Sequence, residues 1–330
     1  KEAEDMTSFL EGLRAWRALN HRKEQPEDPE THAGALAENF LKRLIDSNLK
    51  FNNGYAFPGK RIPSHIYGNR YEVDLIVLTP KYIHVIEVKN WSGTLQLQDG
   101  QWVQTRRNGQ EIQHASLSSL NQEKKEALIA YLHNRSIPVN PSQVTQKIIF
   151  MNNNLRILSP EIRKDPHIIQ AYELKHYLDS QWKSASDEKI VQSIIEVLLA
   201  KEKQEKAFSR SVQGKYFYET LFLLRSLETW DRLRLHGGKT LVGDGLQLIT
   251  RRRSFDLKKL PSGTKYPVSW SQPSPLLYLL CLLGKSTVGS INLPNRKIAI
   301  SPHDMIKFHQ AMATKPSVIP LGEVDLFIRG

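Results

Sequence analysis

YEVDLIVLTPKYIHVIEVKNWSG, residues 71–93, decides how this 330-residue chain is read. Tyr71–Thr79 and Tyr82–Lys89 are rich in β-branched and aromatic residues, with a short Pro80-Lys81 turn between them, which predicts two adjacent strands. Side chains alternate along a strand, so Glu87 and Lys89 share one face while Ile86 and Val88 enter a core on the other. Asp74 interrupts an apolar run (Val73, Leu75, Ile76, Val77), and in a hairpin it comes alongside Glu87. Two acids and an amine at one sheet edge have two readings. One is a structural salt bridge from Lys89 to Glu87 or Asp74, which offsets the cost of burying ions. The other is a divalent cation held by hard oxygen ligands, Mg²⁺ or Mn²⁺. Such an ion polarises a phosphoryl oxygen and acidifies bound water, and Lys89 steadies the developing charge. The spacing alone leaves both open.

Outward from this segment, residues 8–20 have the spacing of an amphipathic helix (Leu10, Leu13, Trp16, Leu19), and the polar stretch after it reads as a linker. A helix over 33–49 follows, with Glu38 at the edge of its apolar stripe. Asp99-Gly100 and Asn108-Gly109 mark hairpins. A helix over 117–133, a buried strand near 145–151, a short strand and a further helix complete a mixed α/β domain with a helix-flanked sheet. The expected organisation is an N-terminal helix and linker (1–30), the α/β domain (31–180), a connecting helix (181–209) and a C-terminal α+β domain (210–330). That last domain opens on a helix over 215–229, has a strand-rich middle and closes on a helix over 302–313.

The net charge is +12 and unevenly placed. Residues 201–330 hold 21 Lys and Arg against 10 Asp and Glu, and residues 1–200 hold 25 against 24. A positive field of this kind draws polyanions, nucleic acid first. Arg251, Arg252, Arg253, Lys258 and Lys259, near Phe255, Tyr266 and Trp270, form the densest basic run and the expected nucleic-acid contact. Arg106 and Arg107 are a second candidate for phosphate contact. The single Cys281 excludes an intramolecular disulfide framework and a Cys-rich zinc site, and fits a reducing, cytoplasmic compartment. No apolar run reaches the roughly 20 residues of a membrane span. The chain opens on Lys1, which reads as a sequence that begins inside a longer one.

The segment 71–93 resembles the nuclease-related domain (NERD) family of the PD-(D/E)XK nuclease superfamily. The resemblance rests on Asp74 in a hydrophobic strand, the Pro80-Lys81 turn, and Ile86-Glu87-Val88-Lys89-Asn90-Trp91-Ser92-Gly93. It extends over about residues 31–180. It implies a restriction-endonuclease-like core and a Mg²⁺-dependent nuclease acting on DNA, with Asp74 and Glu87 as metal ligands and Lys89 as the catalytic lysine. Glu38 matches an additional acid that holds the metal directly or through water. Nucleases of this fold often pair, so a homo-oligomer is among the implied partners. One departure stands out. Where the family carries an N-P-x-x-Q-like motif, this chain has Ser118-Ser119-Leu120-Asn121-Gln122, and only Gln122 keeps its place, facing the site from its helix.

Gly238-Lys239-Thr240 and Gly284-Lys285-Ser286-Thr287 echo the end of a phosphate-binding loop, but Leu233 and Leu279 stand where its first glycine is needed. Two rivals to the nuclease remain: a catalytically weak DNA-sensing module, and a regulatory protein whose C-terminal domain binds a protein or small ligand.

Overall fold

The computed structural model describes residues 10, 13–49, 54–63, 70–182, 216–251, 253–270, 289–294, 296–311, 313 and 315–330. The chain divides into two compact units: Glu30–Glu228, and Lys1–Pro29 together with Thr229–Gly330.

A short helix α1 covers residues 13–20 and belongs to the second of these units. In the first unit, α2 (Pro29–Leu49) leads to β1 (Tyr55–Pro63), β2 (Arg70–Leu78) and β3 (Ile83–Lys89). Next come β4 (Gly93–Gln98), β5 (Gln101–Thr105) and β6 (Glu111–His114), then α3 (Leu117–Asn134) and β7 (Val144–Phe150). The rest is β8 (Leu155–Ile157), α4 (Pro160–Arg163), β9 (Ile168–Gln170), α5 (Leu174–Trp182) and α6 (Phe217–Ser226). The central sheet runs β1-β2-β3-β7-β9, antiparallel through β3 and parallel from there on. A four-stranded sheet β6-β5-β4-β8 stands beside it.

Ile83 to Val88 of β3 are all buried, because helices cover both faces of the sheet. On one face Ile83 and Val85 pack with Leu128 and Leu132 of α3 and with Leu221 and Leu224 of α6. On the other, Ile86 and Val88 pack with Leu41 and Ile45 of α2 and with Leu174 and Leu178 of α5. This is the helix-flanked mixed sheet that the sequence predicts. The local signals also hold: Asp99 (φ 49°) and Gly100 (φ 77°) turn β4 into β5, and Thr79 closes the β2–β3 turn by exchanging bonds with Tyr82.

Among the described residues, the strands of the second unit form one antiparallel sheet of nine. They are β10 (Asp231–Leu235), β11 (Thr240–Ile249), β12 (Ser254–Asp256), β13 (Lys265–Trp270), β14 (Gly289–Leu293), β15 (Arg296–Ile300), β16 (Met305–Gln310), β17 (Ser317–Pro320) and β18 (Val324–Ile328). Their order is β15-β14-β13-β18-β10-β11-β16-β17, with β12 on β11. Leu233, Tyr266, Phe308 and Phe327 centre its core, and Ala15 and Leu19 of α1 pack with Trp270. The N-terminal arm is part of this sheet's periphery. Gln25 exchanges backbone bonds with His236 and Lys239, and Arg22 donates to the Gly322 carbonyl and to Asp325, both at 2.5 Å.

Three expectations are corrected. Where a helix over 302–313 is expected there is a strand, β16: Ile306 and Phe308 alternate inward between β11 and β17, and pairing with those strands decides the period of two. The second unit begins at Thr229 rather than 210, because Phe217, Leu221 and Leu224 of α6 complete the core of the first. Its described residues after 229 hold strands and 3₁₀ turns and no α-helix, where the sequence predicts α+β. Beyond residue 182, the expected connecting helix lies outside the described residues, as do Arg252, Cys281 and 284–287. Gly238-Lys239-Thr240 is the β10–β11 turn. Among the described residues no helix is long and apolar enough to cross a membrane.

Candidate active site

The β2–β3 ladder pairs Leu78 with Ile83 through to Leu75 with Ile86. One step further the side chain of Asp74 takes over, its Oδ2 accepting the Val88 backbone N–H at 2.7 Å. Asp74 is thereby locked beside Glu87, on the sheet face that α3 covers. Lys89 Nζ lies 2.7 Å from Glu87 Oε1 and 3.9 Å from Asp74 Oδ2. The juxtaposition read from the hairpin is therefore present.

Lys124 was not legible in the sequence. It reaches from α3 to donate to Glu87 Oε2 at 2.6 Å, so both Glu87 oxygens are taken by ammonium groups. Asn121 sets its position: buried at the start of the same helix, it donates to the Lys147 carbonyl of β7 at 3.1 Å. Lys124 follows three residues later on that helical face. Gln122 is not brought to Glu87. Its amide donates to Glu126 Oε1, one turn along α3, at 2.7 Å. The only sequence signal for Lys124 is a lysine two residues after the altered Ser118–Gln122 motif.

The two carboxyls have opposite proton affinities. Burial, with Glu87 beside it, pushes Asp74 up to about 7, against the pull of Lys89 and Lys124. Burial also acts upward on Glu87, but Lys89 and Lys124 outweigh it and hold Glu87 below its ordinary range. Lys89 is raised: burial opposes its charge, and the Glu87 and Asp74 carboxyls overcome that. Two neighbouring acids pushed apart in this way are what acid–base and metal sites need.

The rest of the 86–93 run has structural work to do. Asn90 donates to the Ala33 carbonyl at 3.2 Å, tying α2 to the end of β3. Glu38 of α2 is exposed, and its charge acts on both Asp74 and Lys89. Trp91 stacks on His114 with centroids 4.1 Å apart and packs on Phe150. Gly93, at φ 91°, lies against the Thr105 carbonyl, where any Cβ would collide with backbone. Gly93→Ala is expected to cost about 2 kcal/mol of stability through that clash and the positive φ. A denaturant midpoint equal to the parent's would show that the β4–β5 contact yields instead.

Arg106 does not stand open for phosphate: it pairs with Glu30 at 2.7 Å. Arg107 is exposed in the β5–β6 turn. In the second unit, Arg251 and Arg253 lie on the turn between β11 and β12, where Asp304 accepts the Arg251 backbone N–H at 3.1 Å. Lys258 and Lys259 lie on the 3₁₀ turn after β12, both exposed.

For a metal, the donor set is Asp74 and Glu87. Among the described residues no group of three or more His, Cys, Asp or Glu side chains converges, so Glu38 does not join them as a third direct ligand. The pair still suits Mg²⁺, which is commonly held by one or two carboxylates with waters and phosphate oxygens completing its shell. Burial, with Glu87 beside it, holds the Asp74 proton against the pull of Lys89 and Lys124.

Residues 33–151 match the family model described as "Nuclease-related domain". A 96-residue stretch is 31% identical to a protein of Streptomyces coelicolor named "Probable kinase PglW". That stretch is 28% of this chain and 6% of the relative, so the match spans a small part of the relative's length. The matched family segment encloses the hairpin, the Asp74–Glu87–Lys89 cluster and α3, and on it the chain carries a nuclease-related domain over residues 33–151.

Proposed function

We propose that this domain is a restriction-endonuclease-like, metal-dependent deoxyribonuclease. Asp74 and Glu87 would hold Mg²⁺ or Mn²⁺, with Glu38 acting through water. The observation that carries the reading is the buried Asp74–Glu87 pair, one acid pushed up and the other held down, with Lys89 between them. When bound, the ion supplies polarisation of the phosphoryl oxygen and acidification of its water. The chain's own residues do the rest. Val88 N–H and Lys89 fix the two carboxylates, and Lys89 presents a charge to the negative phosphate as it reacts. Lys124 sets the charge on Glu87. The basic second unit provides DNA affinity, with Arg251, Arg253, Lys258 and Lys259 as the contact suggested by the sequence.

The test uses plasmid and single-stranded DNA with Mg²⁺, Mn²⁺ or EDTA. Cutting is expected with either metal and not with EDTA. Asp74→Asn and Lys89→Met should each reduce it by at least about a hundredfold. Undiminished cutting by either variant would remove that residue from the site.

One observation favours a second reading, a DNA-binding module with little cleavage. Lys89 and Lys124 occupy both oxygens of Glu87 and compete with a cation there. Salt-dependent DNA binding without metal-dependent cutting would select it.

A further inference from the structure

The C-terminal strands gather cations that form no dense run along the chain. In β10 the buried Asp231, Leu233 and Leu235 alternate with the exposed Arg232 and Arg234. In β13 the buried Tyr266 and Val268 alternate with the exposed Lys265, Pro267 and Ser269. The register makes these one surface. Ile328 of β18 lies between Arg232 and Lys265, and Leu326 lies between Arg234 and Pro267. Two strands further, Ser269 faces Ser290, Ser290 faces Ala299, and Asn292 faces the exposed Lys297. Five adjacent strands, β15-β14-β13-β18-β10, thus turn Arg232, Arg234, Lys265 and Lys297 outward on one face.

The acids of these strands do not offset that charge. Asp231 is buried and bonded to Arg329 at 2.6 Å, and Asp325 is taken by Arg22. The aromatics are turned away: Tyr266 and Phe327 are 2% and 1% exposed, in the core. Arg232 and Arg234 stand roughly 7 Å apart along their strand, and the five strands span about 20 Å. A face with cations but no exposed ring is suited to phosphates rather than to stacked bases.

We infer that this sheet face, rather than the 251–259 turn, is the surface that grips DNA, through its backbone and without regard to sequence. The inference rests on DNA being the partner, as proposed above. It makes binding a property of Arg232, Arg234, Lys265 and Lys297, independent of the metal cluster.

The experiment is DNA binding by the full chain in EDTA, so that cutting plays no part, over a range of salt. Arg232→Gln/Arg234→Gln changes only exposed side chains and should leave the melting temperature unchanged. Each lost phosphate contact lowers the slope of log affinity against log salt by about 0.9, so the pair should lower it by about 2 and weaken binding roughly tenfold. The result is expected on two unrelated duplex sequences alike. An unchanged slope overturns the inference, as does a larger loss from Arg251→Gln/Arg253→Gln. So does full DNA affinity with lost binding to phosphatidylserine vesicles, which would assign the face to a membrane surface. Intact binding with no cutting in Mg²⁺ would count against the nuclease reading alone.

Discussion

Asp74→Asn is expected to stabilise the protein at pH 8 and, on the function proposed above, to abolish cutting. Asparagine keeps an acceptor for the Val88 N–H, so the 2.7 Å bond that ends the β2–β3 ladder survives. It removes a charge that burial and Glu87 both oppose. Because the folded chain holds the Asp74 proton up to about pH 7 and the unfolded chain releases it near 4, this residue's contribution to stability falls as pH rises between those values. Above that window the penalty is on the order of 2 to 4 kcal/mol, and the substitution relieves it. Thermal unfolding should show a rise of several degrees at pH 8 that vanishes toward pH 4. A variant that melts lower than the parent at pH 8 would mean that Asp74 is stabilised by its charge, and the opposed-acid picture would fail. Mg²⁺ should narrow the gap by stabilising the parent alone.

Glu87→Ala has the opposite consequence. Lys89 and Lys124 both spend a hydrogen bond on Glu87, and their side chains are 24% and 15% exposed. Removing the acid leaves two largely buried ammonium groups facing one another. Breaking such a pair typically costs about 3 to 5 kcal/mol. Glu87, held below its ordinary range, stabilises the fold above that range and loses the effect as pH falls through its folded value. The deficit of the alanine variant should therefore shrink on acidification, the reverse of the Asp74 slope. Glu87→Ala/Lys124→Met should recover part of the loss, since it removes one of the stranded charges. Urea unfolding of the four proteins of this cycle measures the coupling. A single-variant loss below about 1 kcal/mol would show that the lysines swing to solvent.

Much of this arrangement was legible because it is local. The Pro80-Lys81 turn, the alternation through Glu87 and Lys89, and the Asp99-Gly100 turn all act within a few residues, and the structure has each of them. Lys124 was hidden because its role depends on how α3 lies across β3, which Asn121 and the packing of Leu128 and Leu132 determine. Gln122, chosen for its place in a family motif, turns along its own helix toward Glu126. The same limit explains Met305–Gln310. Its six residues are too few to declare a period alone, and the flanking strands β11 and β17 reveal the period of two. The outward face of β10 and β13 was missed for a related reason. Its cations are dispersed in the sequence and gathered by register.

The arm that carries α1 has a consequence for how the protein is made. Arg22 is synthesised 300 residues before Gly322, the carbonyl it binds. At about 5 to 20 residues per second, the ribosome delivers that partner roughly 15 to 60 s later. Through that interval Ala15, Leu19 and the backbone of Gln25 are without their sheet, while Glu30–Glu228 can fold behind them. The nascent chain therefore carries a waiting segment, and a chaperone that shields exposed apolar segments during translation should raise the yield of this protein more than it would for a chain whose domains follow one another in order.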